Sequence, residues 1–593
     1  MTEKVIRTVC GIEDGVNCGI LAHVRDGKLV KVEPADFPDP RLRHICARGL
    51  SSIELAYHPD RLKYPLKRVG ERGEGKWERI SWDEALDTIA DRLKEIGEKY
   101  GFKSLAWVTG QPITFVLMRI YQRIASALQS TWVSILGFGD SAGPCGDVLS
   151  YGHPAGDFYS VNFESPELCV IWGGNMAETR PIYWRKIRDE KEKGAKLVVI
   201  DPRFTSSASK ADKYIAIRPG TDTALILGML KWILDKGLED RPFITEHTVG
   251  PLLVRSDNGR FMREKDVFPG ESEKYLVWDS QTGGPLPYDE TGTAPALSGV
   301  YQVAGIECSP ALQCLKDLTD QYPLETTAEI TQVPSETIEK LAEDYATCKP
   351  VASYRGQGLQ RTFYGDVAYR AITTLAAVTG NIKPEGYRRF MLRPSSFIKA
   401  TGKPYKPLPL MQLYDTITSE KPYPIKALWI AAHNFVNQNP DSNRVINELF
   451  PKLDFIVVAE MFMNTTARYA DIVLPVCSFF ERLDLVPSSD PINPYMQLQQ
   501  KVIEPLHESK SDLAIVSELA QKMGHGEHFR ESPEEYLETL LSSKHPSMAG
   551  ITLESLKEGP APLKSYEVPA FPTASGRIEF YSEAMLPFDQ ELP

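Results

Sequence analysis

Three cysteines lie close together in sequence near the amino terminus. Cys10, Cys18 and Cys46 lie within the first fifty residues, and the other six of the nine cysteines are scattered through a chain of 593 residues. Nine cysteines are too sparse for a disulfide framework and their number is odd, so we expect reduced thiols. Position then matters more than number, and the N-terminal group of three is the candidate for chemistry.

Glycine-rich and polar turns follow several predicted strands, and such turns expose backbone N–H groups that suit phosphate. They read WGGNMAETRP, DPRFTSSA and RPGTDTAL. In doubly wound sheets, ligands bind beyond the carboxyl ends of the strands, close to turns of this kind. Gly173 and Gly174 allow close approach of the backbone. Polar groups come from four further residues: Asn175, Thr205, Thr221 and Asp222.

The elements that position these residues alternate between strand and helix. Residues WDEALDTIADRLKEIGEKY predict a helix capped by Ser81, and ELCVIWGG, AKLVVIDPR and FIVVAEMF predict buried strands between helices. The alternation predicts an α/β fold with two doubly wound lobes and a small N-terminal β-rich module. We expect the module at residues 1–58, the first lobe at 59–145 and 350–475, and the second lobe at 146–349. A C-terminal segment, 476–593, is expected to return to the module.

One stretch interrupts the alternation, from about residue 250 to 298. It is rich in proline and glycine and has little periodicity, so we expect an insertion or a long surface loop.

Composition excludes several classes of protein. The chain is 42% hydrophobic and 25% charged with a net charge of −12, which disfavours a nucleic-acid partner. Its apolar stretches are too short and interrupted for direct membrane insertion, which needs about 20 apolar residues. The start, MTEKVIRTVC, has no apolar signal region and no twin arginine, so we expect a cytoplasmic protein unless a signal has been removed or a partner subunit carries it.

A series of motifs resembles the molybdopterin oxidoreductases of the dimethyl-sulfoxide-reductase superfamily, with features of their acetylene-hydratase and formate-dehydrogenase-like members. It includes TVCGIEDGVNCGILAHVRDGKLVKVE, RHICARGL, WGGNMAET, LVVIDPRFT, RPGTDTAL, HNFVNQNPDSNRV, ARYADIVLPVCSFFERLDL and FPTASGRIEFYSE. The resemblance spans nearly the whole chain. It implies a catalytic subunit with molybdenum or tungsten held by two molybdopterin guanine dinucleotides.

The resemblance also implies which residues contact the two dinucleotides. The full set, which includes the glycines and the threonine of the turns described above, is Gly173, Gly174, Asn175, Asp201, Arg203, Thr205, Gly220, Asp222, Gly356, Gly358, Asn434, Asn437 and Glu460.

In most relatives the N-terminal module holds a 4Fe-4S cluster through four cysteines. Cys10, Cys18 and Cys46 match the first, third and fourth of them, but Asp14 stands in the second place. The resemblance implies a cluster with Asp14 as its fourth ligand, and Glu13 is the rival ligand; with Glu13 as ligand, Asp14 would face the substrate. The module could instead hold a three-iron cluster or be vacant. Arg48 matches the basic residue between cluster and pterin.

The protein ligand of the molybdenum or tungsten is less clearly implied. Relatives place it in a loop that corresponds to ILGFGDSAGPCGDVLSYGHPAGDF, but no cysteine stands in register. Either the loop is remodelled so that Cys145 or Asp140 reaches the metal, or the metal has no side-chain ligand; Ser141 is a further candidate. A thiolate suits a soft metal, which favours Cys145. His153 and Asp157, just downstream, are candidate proton carriers.

Three functions fit these features. The first is a redox enzyme that transfers an oxygen atom, a hydroxyl or a hydride for a small-molecule substrate, with electrons passing through the cluster. The second is a non-redox hydratase or transhydroxylase on the same scaffold. The third is an assembly subunit without activity.

The chain stops shortly after FPTASGRIEFYSE, where relatives continue into a further dinucleotide-binding domain. We expect a small subunit to supply that domain and an electron-transfer iron–sulfur subunit to complete a hetero-oligomer; the alternative is a shortened chain.

Overall fold

The computed structural model describes residues 3–12, 17–110, 115–134, 141–153, 165–268, 270, 272–290, 292–382, 407–486, 493–542, 545–564 and 571–588. The chain divides into two compact units. One unit comprises residues 1–138 and 389–566, and the other comprises residues 139–388 and 567–593. The first unit is therefore made of two separate chain segments.

The first unit begins with the expected β-rich module. Its three antiparallel strands are Glu3–Val9, Gly19–Arg25 and Lys28–Pro34, in that order across the sheet. Val9 pairs with Gly19 at one end of the first two strands. The residue after Val9 and the residue before Gly19 are therefore neighbours. A later segment returns to the module, since the Gln497 side chain donates to the Asn17 carbonyl at 2.6 Å. The expected C-terminal segment, 476–593, thus has a contact with the module at Gln497, and its residues from 567 onward belong to the other unit.

The main sheet of the first unit has eight strands. In spatial order they are Leu408–Pro409, Thr131–Ser134, Leu105–Thr109, Ala427–Ala431, Phe455–Glu460, Ile472–Pro475, Leu66–Arg68 and Trp77–Arg79. The first six strands are parallel to one another, and each of the last two is antiparallel to the strand before it in this order. Helices cover both faces: Trp82–Tyr100, Phe115–Ala127, Leu410–Ser419, Asp512–Lys522 and Pro533–Leu541. Since both faces are covered, the central strands are continuous apolar runs.

The main sheet of the second unit has four parallel strands. Their order is Lys213–Ile215, Lys196–Ile200, Leu168–Trp172 and Val351–Arg355. Its principal helices are Ala142–Tyr151, Pro181–Glu192, Asp222–Lys236, Arg241–His247, Ala311–Thr319, Leu324–Thr331, Ser335–Thr347 and Gly365–Val378. The two doubly wound lobes and the β-rich module confirm the predicted α/β fold.

The boundaries of the second unit differ from those expected. The strand Val351–Arg355 was expected in the first lobe, but it pairs with Leu168–Trp172 in the second unit. The helix Gly365–Val378 packs with it in the same core. Residues 571–588 also belong to this unit, where the Ile578 amide donates to the His247 carbonyl at 2.9 Å. Hydrogen bonds between backbone segments determine both boundaries. The periodicity of a sequence predicts strands but does not specify which strands pair.

The stretch from 250 to 298, where we expected an insertion or a long surface loop, contains regular structure. It contains the strands Leu253–Arg255, Leu276–Asp279 and Gly284–Pro287, and the side chains of Leu253 and Leu276 are fully buried. Each strand is too short to show a period in sequence. Within the described ranges, the structure has no helix of the length and apolarity that crossing a membrane requires.

Candidate functional site

Two glycine turns press against each other at the carboxyl edge of the four-stranded sheet. The Gly356 amide donates to the Trp172 carbonyl at 2.7 Å, and the Gly358 amide donates to the Gly173 carbonyl at 3.1 Å. A β-carbon on Gly356 would lie 2.2 Å from the Gly173 oxygen, closer than any side chain permits. Glycine is therefore required here so that two backbones meet beyond the strand ends.

A side-chain amide fixes the next turn of this edge. The Asn175 Oδ1 accepts hydrogen bonds from the Ser207 amide at 3.2 Å and from its hydroxyl at 2.9 Å. The Ser207 Oγ in turn accepts from the Ala177 amide at 2.9 Å. These bonds hold the turns after two neighbouring strands in one arrangement. We call Gly173, Gly174, Asn175, Ser207 and Gly356 the Asn175 cradle.

The first unit repeats this arrangement at the carboxyl edge of its own sheet. The Asn434 Oδ1 accepts from the Thr466 amide at 3.3 Å and hydroxyl at 2.8 Å, and the Thr466 Oγ1 accepts from the Val436 amide at 2.9 Å. The Gly110 amide donates to the Ala431 carbonyl at 2.9 Å. A β-carbon on Gly110 would lie 1.7 Å from the Ala432 oxygen. We call Gly110, Ala432, Asn434 and Thr466 the Asn434 cradle.

The two cradles are equivalent in sequence as well as in geometry. Asn175 and Ser207 are 32 residues apart, and so are Asn434 and Thr466. Gly173 and Ala432, the first turn residues, both have positive φ, 54° and 50°. The segments TSSASKAD and NTTARYAD occupy matching places. Each unit thus presents one site of the same design.

Sequence reasoning missed four residues of the cradles: Gly110, Ser207, Ala432 and Thr466. Serine and threonine are common in turns, so neither hydroxyl is distinctive alone. The signal that could have found them is the shared spacing of 32 residues from an asparagine that follows a buried strand.

Acidic candidates lie beside both cradles. Asp201 follows the strand Lys196–Ile200, and its Oδ1 accepts from the Arg203 amide at 2.8 Å. Burial, with a smaller contribution from repulsion by Asp201, raises the pKa of Asp222 to about 6. In the first unit, burial also raises the pKa of Glu460, whose Oε2 accepts from the Asn464 amide group at 3.1 Å.

The remaining candidates for dinucleotide contact lie on the same turns. Thr205 is buried and its Oγ1 accepts from the Ala208 amide at 3.1 Å, whereas the Arg203 side chain is exposed. Gly220 has φ of 79° in the turn that leads into the helix Asp222–Lys236. Asn437 is exposed one turn beyond Asn434. The structure places the whole predicted set around two sheet edges, and the ligand roles remain predictions.

The three N-terminal cysteines converge within the β-rich module. The Cys10 amide donates to the Cys18 carbonyl at 2.8 Å, and both side chains are buried. Cys46 precedes the short helix Ala47–Leu50, and a β-carbon on Gly49 of that helix would lie 3.4 Å from the Cys10 sulfur. All three cysteines are reduced thiols. Asp14 and Glu13 lie outside the described residues, and Arg48 is half-buried on the helix after Cys46.

Cys145 lies in the first turn of the helix Ala142–Tyr151, not in a loop as expected. The helix buries Gly143, Gly146 and Asp147, so Cys145 is on its exposed side. Burial of the sulfur and repulsion from Asp366 raise the pKa of this thiol, which keeps it protonated in the absence of a metal.

Of the other four candidates in this segment, the structure describes two. His153 follows the helix, is buried and stacks beside Tyr151 with ring centroids 6.2 Å apart. Ser141 precedes the helix and is half-buried. Asp140 and Asp157 lie outside the described residues.

Asp222→Asn tests the burial of this carboxyl beside the Asn175 cradle. A carboxyl pKa raised to about 6 means that the folded chain holds the proton more tightly than the unfolded chain, whose aspartate titrates near 3.9. Ionisation therefore destabilises the fold; this cost is absent below about pH 4 and complete above about pH 6. We expect the substitution to stabilise cofactor-free protein by about 2–3 kcal/mol at pH 8 and by little at pH 4.

Thermal unfolding at the two pH values measures the effect. Asp235→Asn, at an exposed position of the same helix, is the matched control and should change neither midpoint. An equal gain at both pH values would contradict the interpretation.

Comparisons with known proteins agree with this architecture. Residues 61–522 match the model of the molybdopterin oxidoreductase family, and residues 3–58 match the molybdopterin oxidoreductase Fe4S4 domain. Acetylene hydratase from Pelobacter acetylenicus has a similar structure, with a TM-score of 0.74 and 25% identity over 98% of this chain and 78% of that one.

Several curated relatives are similar over most of the chain. A putative catalytic subunit of a dimethyl sulfoxide reductase from Halobacterium salinarum is 28% identical over 98% of this chain and 72% of its own length. The alpha subunit of perchlorate reductase from Dechloromonas aromatica is 30% identical over 81% of this chain and 60% of its own. Dimethyl sulfoxide reductase DmsA of Escherichia coli is 29% identical over 98% and 74%. The chain thus spans from three fifths to three quarters of these relatives.

The family match confirms the expected molybdenum–pterin cofactor and 4Fe-4S cluster. With both family models matched and the fold shared, the chain belongs to the molybdopterin oxidoreductase family and includes its Fe4S4 domain.

Proposed function

We propose that this chain is the catalytic subunit of a bis(molybdopterin guanine dinucleotide) oxidoreductase that contains molybdenum or tungsten. It transfers an oxygen atom, a hydroxyl or a hydride for a small molecule, and electrons pass through the 4Fe-4S cluster. The observation that carries the proposal is the pair of equivalent cradles, because two cradles of one design suit two copies of one ligand. The bound metal supplies two-electron redox chemistry.

The residues of the cradles fit a dinucleotide. Glycine at 110, 173, 174 and 356 leaves no side chain between the backbone and a ligand beyond the sheet edge, and turn N–H groups are good donors to phosphate. Asp201, Asp222 and Glu460 offer carboxylate oxygens that can accept from the N–H groups of guanine. The exposed Arg203 supplies a positive charge for a phosphate. Both phosphate and base of a guanine dinucleotide thus find partners of suitable chemistry.

Substitution of Asn434 tests the role of its cradle. Asn434→Ala removes the acceptor of both Thr466 hydrogen bonds, so the turn loses its position and the protein should lose about one of its two guanine nucleotides. Asn434→Asp keeps an acceptor oxygen and should retain more nucleotide. Guanine nucleotide released per chain by acid treatment is the measurement. Asn258→Ala, at an exposed turn of the second unit, is the control and should leave the content unchanged. Full retention in Asn434→Ala would contradict the assignment.

The N-terminal thiols fit an iron–sulfur cluster, because Cys10, Cys18 and Cys46 lie in one small module that matches the Fe4S4 domain of the family. A cluster spreads its cysteine ligands over several irons. We assign Cys10, Cys18 and Cys46 to the cluster and Asp14 to its fourth position, with Arg48 as the cation that favours arrival of electrons.

Asp14→Cys tests the fourth ligand. A thiolate is the usual ligand of these clusters, so this variant should keep four irons per chain and shift the reduction potential of the cluster. Glu13→Gln is the companion variant and should leave the potential unchanged. Iron analysis and an EPR redox titration measure both properties. Iron-free wild-type protein, or a shift with Glu13→Gln alone, would contradict the assignment.

We also propose Cys145 as the metal ligand, with Asp140 as the alternative. Cys145 projects from the exposed side of its helix, which leaves its sulfur open to a ligand within the second unit. A bound high-valent metal deprotonates a thiol whose pKa is otherwise raised. His153 lies eight residues further on and is the candidate to hold a proton beside the reaction.

A non-redox hydratase or transhydroxylase is the second candidate function. The observation in its favour is the structural similarity to acetylene hydratase over 98% of this chain. Against it, several of the curated relatives bear the names of reductases.

Further parts of the proposal concern the assembly. Two of the relatives described above are named as subunits. In this chain, three aromatic side chains are exposed on the turns of the second unit, namely Phe204, Phe363 and Tyr364, and Phe363 is 86% exposed. We propose that a small subunit covers this side and that an iron–sulfur subunit exchanges electrons with the cluster. Nine reduced cysteines fit a reducing, cytoplasmic compartment and an anaerobic enzyme.

Anaerobic purification with elemental analysis tests the function. We expect about one molybdenum or tungsten and four irons per chain, reduction of artificial electron acceptors or oxidation of reduced dyes, and an active species heavier than this chain alone. Hydration without any dye-linked redox activity would favour the second candidate. A fully loaded, active oligomer of this chain alone would refute the small subunit.

A further inference from the structure

Two histidines and a glutamate lie together in the first unit, at the sequence His-Gly-Glu-His. The ligand atoms of His525, Glu527 and His528 all lie within 4.8 Å of one another. Within the described part of the chain, this is the one group of three or more such side chains gathered so closely. Both imidazoles are half-buried and Glu527 is exposed. None of these residues has a role in the proposed function.

The end of a core helix fixes the position of the first histidine. The helix Asp512–Lys522 is followed by Gly524 with φ of 84°, a left-handed residue that reverses the chain. The His525 amide then donates to the Ala520 carbonyl at 2.8 Å. Since carbonyl groups at a helix end carry partial negative charge, a cation beside this turn is stabilised.

Close packing holds the rest of the turn against the same helix. A β-carbon on Gly526 would lie 2.9 Å from the Gln521 side chain, so glycine lets the turn approach the helix. Residues Gly526–His528 form a single 3-10 turn, in which positions three apart lie on one side. The rings of His525 and His528 are accordingly stacked, with centroids 6.5 Å apart and planes inclined by 23°.

The residue after the turn anchors it in the core. Phe529 is buried, and the Arg123 guanidinium lies 5.0 Å from its ring. The chain is thus fixed on both sides of the three side chains, by the helix end before them and by Phe529 after them. A site held in this way needs little ordering when a ligand binds.

We propose that His525, Glu527 and His528 bind one Zn²⁺ ion, separate from the molybdenum and iron of this enzyme. Two imidazole nitrogens and one carboxylate oxygen are a ligand set that zinc uses, and a water completes the tetrahedron. Metal bonds of about 2.0–2.2 Å bring such ligand atoms to roughly 3.4 Å from one another. Rotation of the exposed Glu527 side chain and small rotations of the rings close the remaining gap.

The competing explanation is a simple ion pair. His528 Nε2 lies 3.4 Å from the Glu527 carboxylate, a contact that needs no metal. This ion pair involves only two of the three side chains and leaves out His525, whose ligand atom lies within 4.8 Å of those of both Glu527 and His528. The experiment must therefore distinguish a three-ligand site from one histidine–glutamate pair.

The test uses the cofactor-loaded enzyme, purified without a polyhistidine tag and treated with a chelator that removes weakly held zinc. Titration with zinc chloride, followed by calorimetry, should show one site per chain. The double variant His525→Ala, His528→Ala should lose this site. Glu527→Gln changes only an exposed side chain and should weaken binding about ten-fold. His507→Ala, at another exposed histidine of the same unit, is the matched control and should bind as wild type does.

Cobalt substitution gives a measurement that does not depend on any variant. One equivalent of Co²⁺ should produce the visible absorption of a four-coordinate site, and zinc should abolish it. Wild-type enzyme without this absorption, or with the same zinc stoichiometry and affinity as the double variant, would overturn the proposal. Equal affinity in Glu527→Gln and wild type would exclude the carboxylate and with it the three-ligand site.

Discussion

The close approach of backbones at the carboxyl ends of neighbouring parallel strands is the constraint on which this protein depends. At Gly356 and Gly110 the chain passes so near the adjacent turn that any side chain would collide with a carbonyl oxygen. Parallel strands place such turns on one edge of the sheet, and the buried apolar runs of the strands fix that edge. The cradles follow from this, because the Asn175 and Asn434 side chains only have to tie together turns that the sheet has already brought into contact.

Burial changes the pKa values of the carboxyl groups at these sheet edges. Asp222 and Glu460 stand at strand ends or at a helix start, where desolvation raises their pKa values. A carboxyl group in such a place interacts more strongly with a hydrogen-bond donor than it would in water. Partial burial of the Cys145 sulfur and repulsion from Asp366 likewise raise the pKa of that thiol.

The sequence was sufficient for the elements that are regular and buried. The helix Trp82–Tyr100 and its cap were predicted, and the Ser81 Oγ accepts from the Glu84 amide at 3.1 Å. The strand Val351–Arg355 was recognised but placed in the wrong unit, since apolar runs of both sheets look alike and only hydrogen bonding separates them. Cys145 was expected in a loop because relatives place the metal ligand in one, but here Gly143 and Pro144 lie in the first turn of a helix, where proline is tolerated. Ser207 and Thr466 were missed because their signal is a spacing shared by two distant segments.

The interleaved order of the two units has a consequence for synthesis on the ribosome. The strand Leu105–Thr109 pairs with Ala427–Ala431, roughly 320 residues later, so it leaves the exit tunnel long before its partner is made. At ordinary elongation rates this delay lasts from about 15 seconds to a minute, during which the edge of an apolar strand stays unpaired. The second unit is translated in that interval, but it also needs residues 571–588. The first unit includes residues up to 566 and the second includes residues after them, so neither unit can complete its packing before these late segments are made.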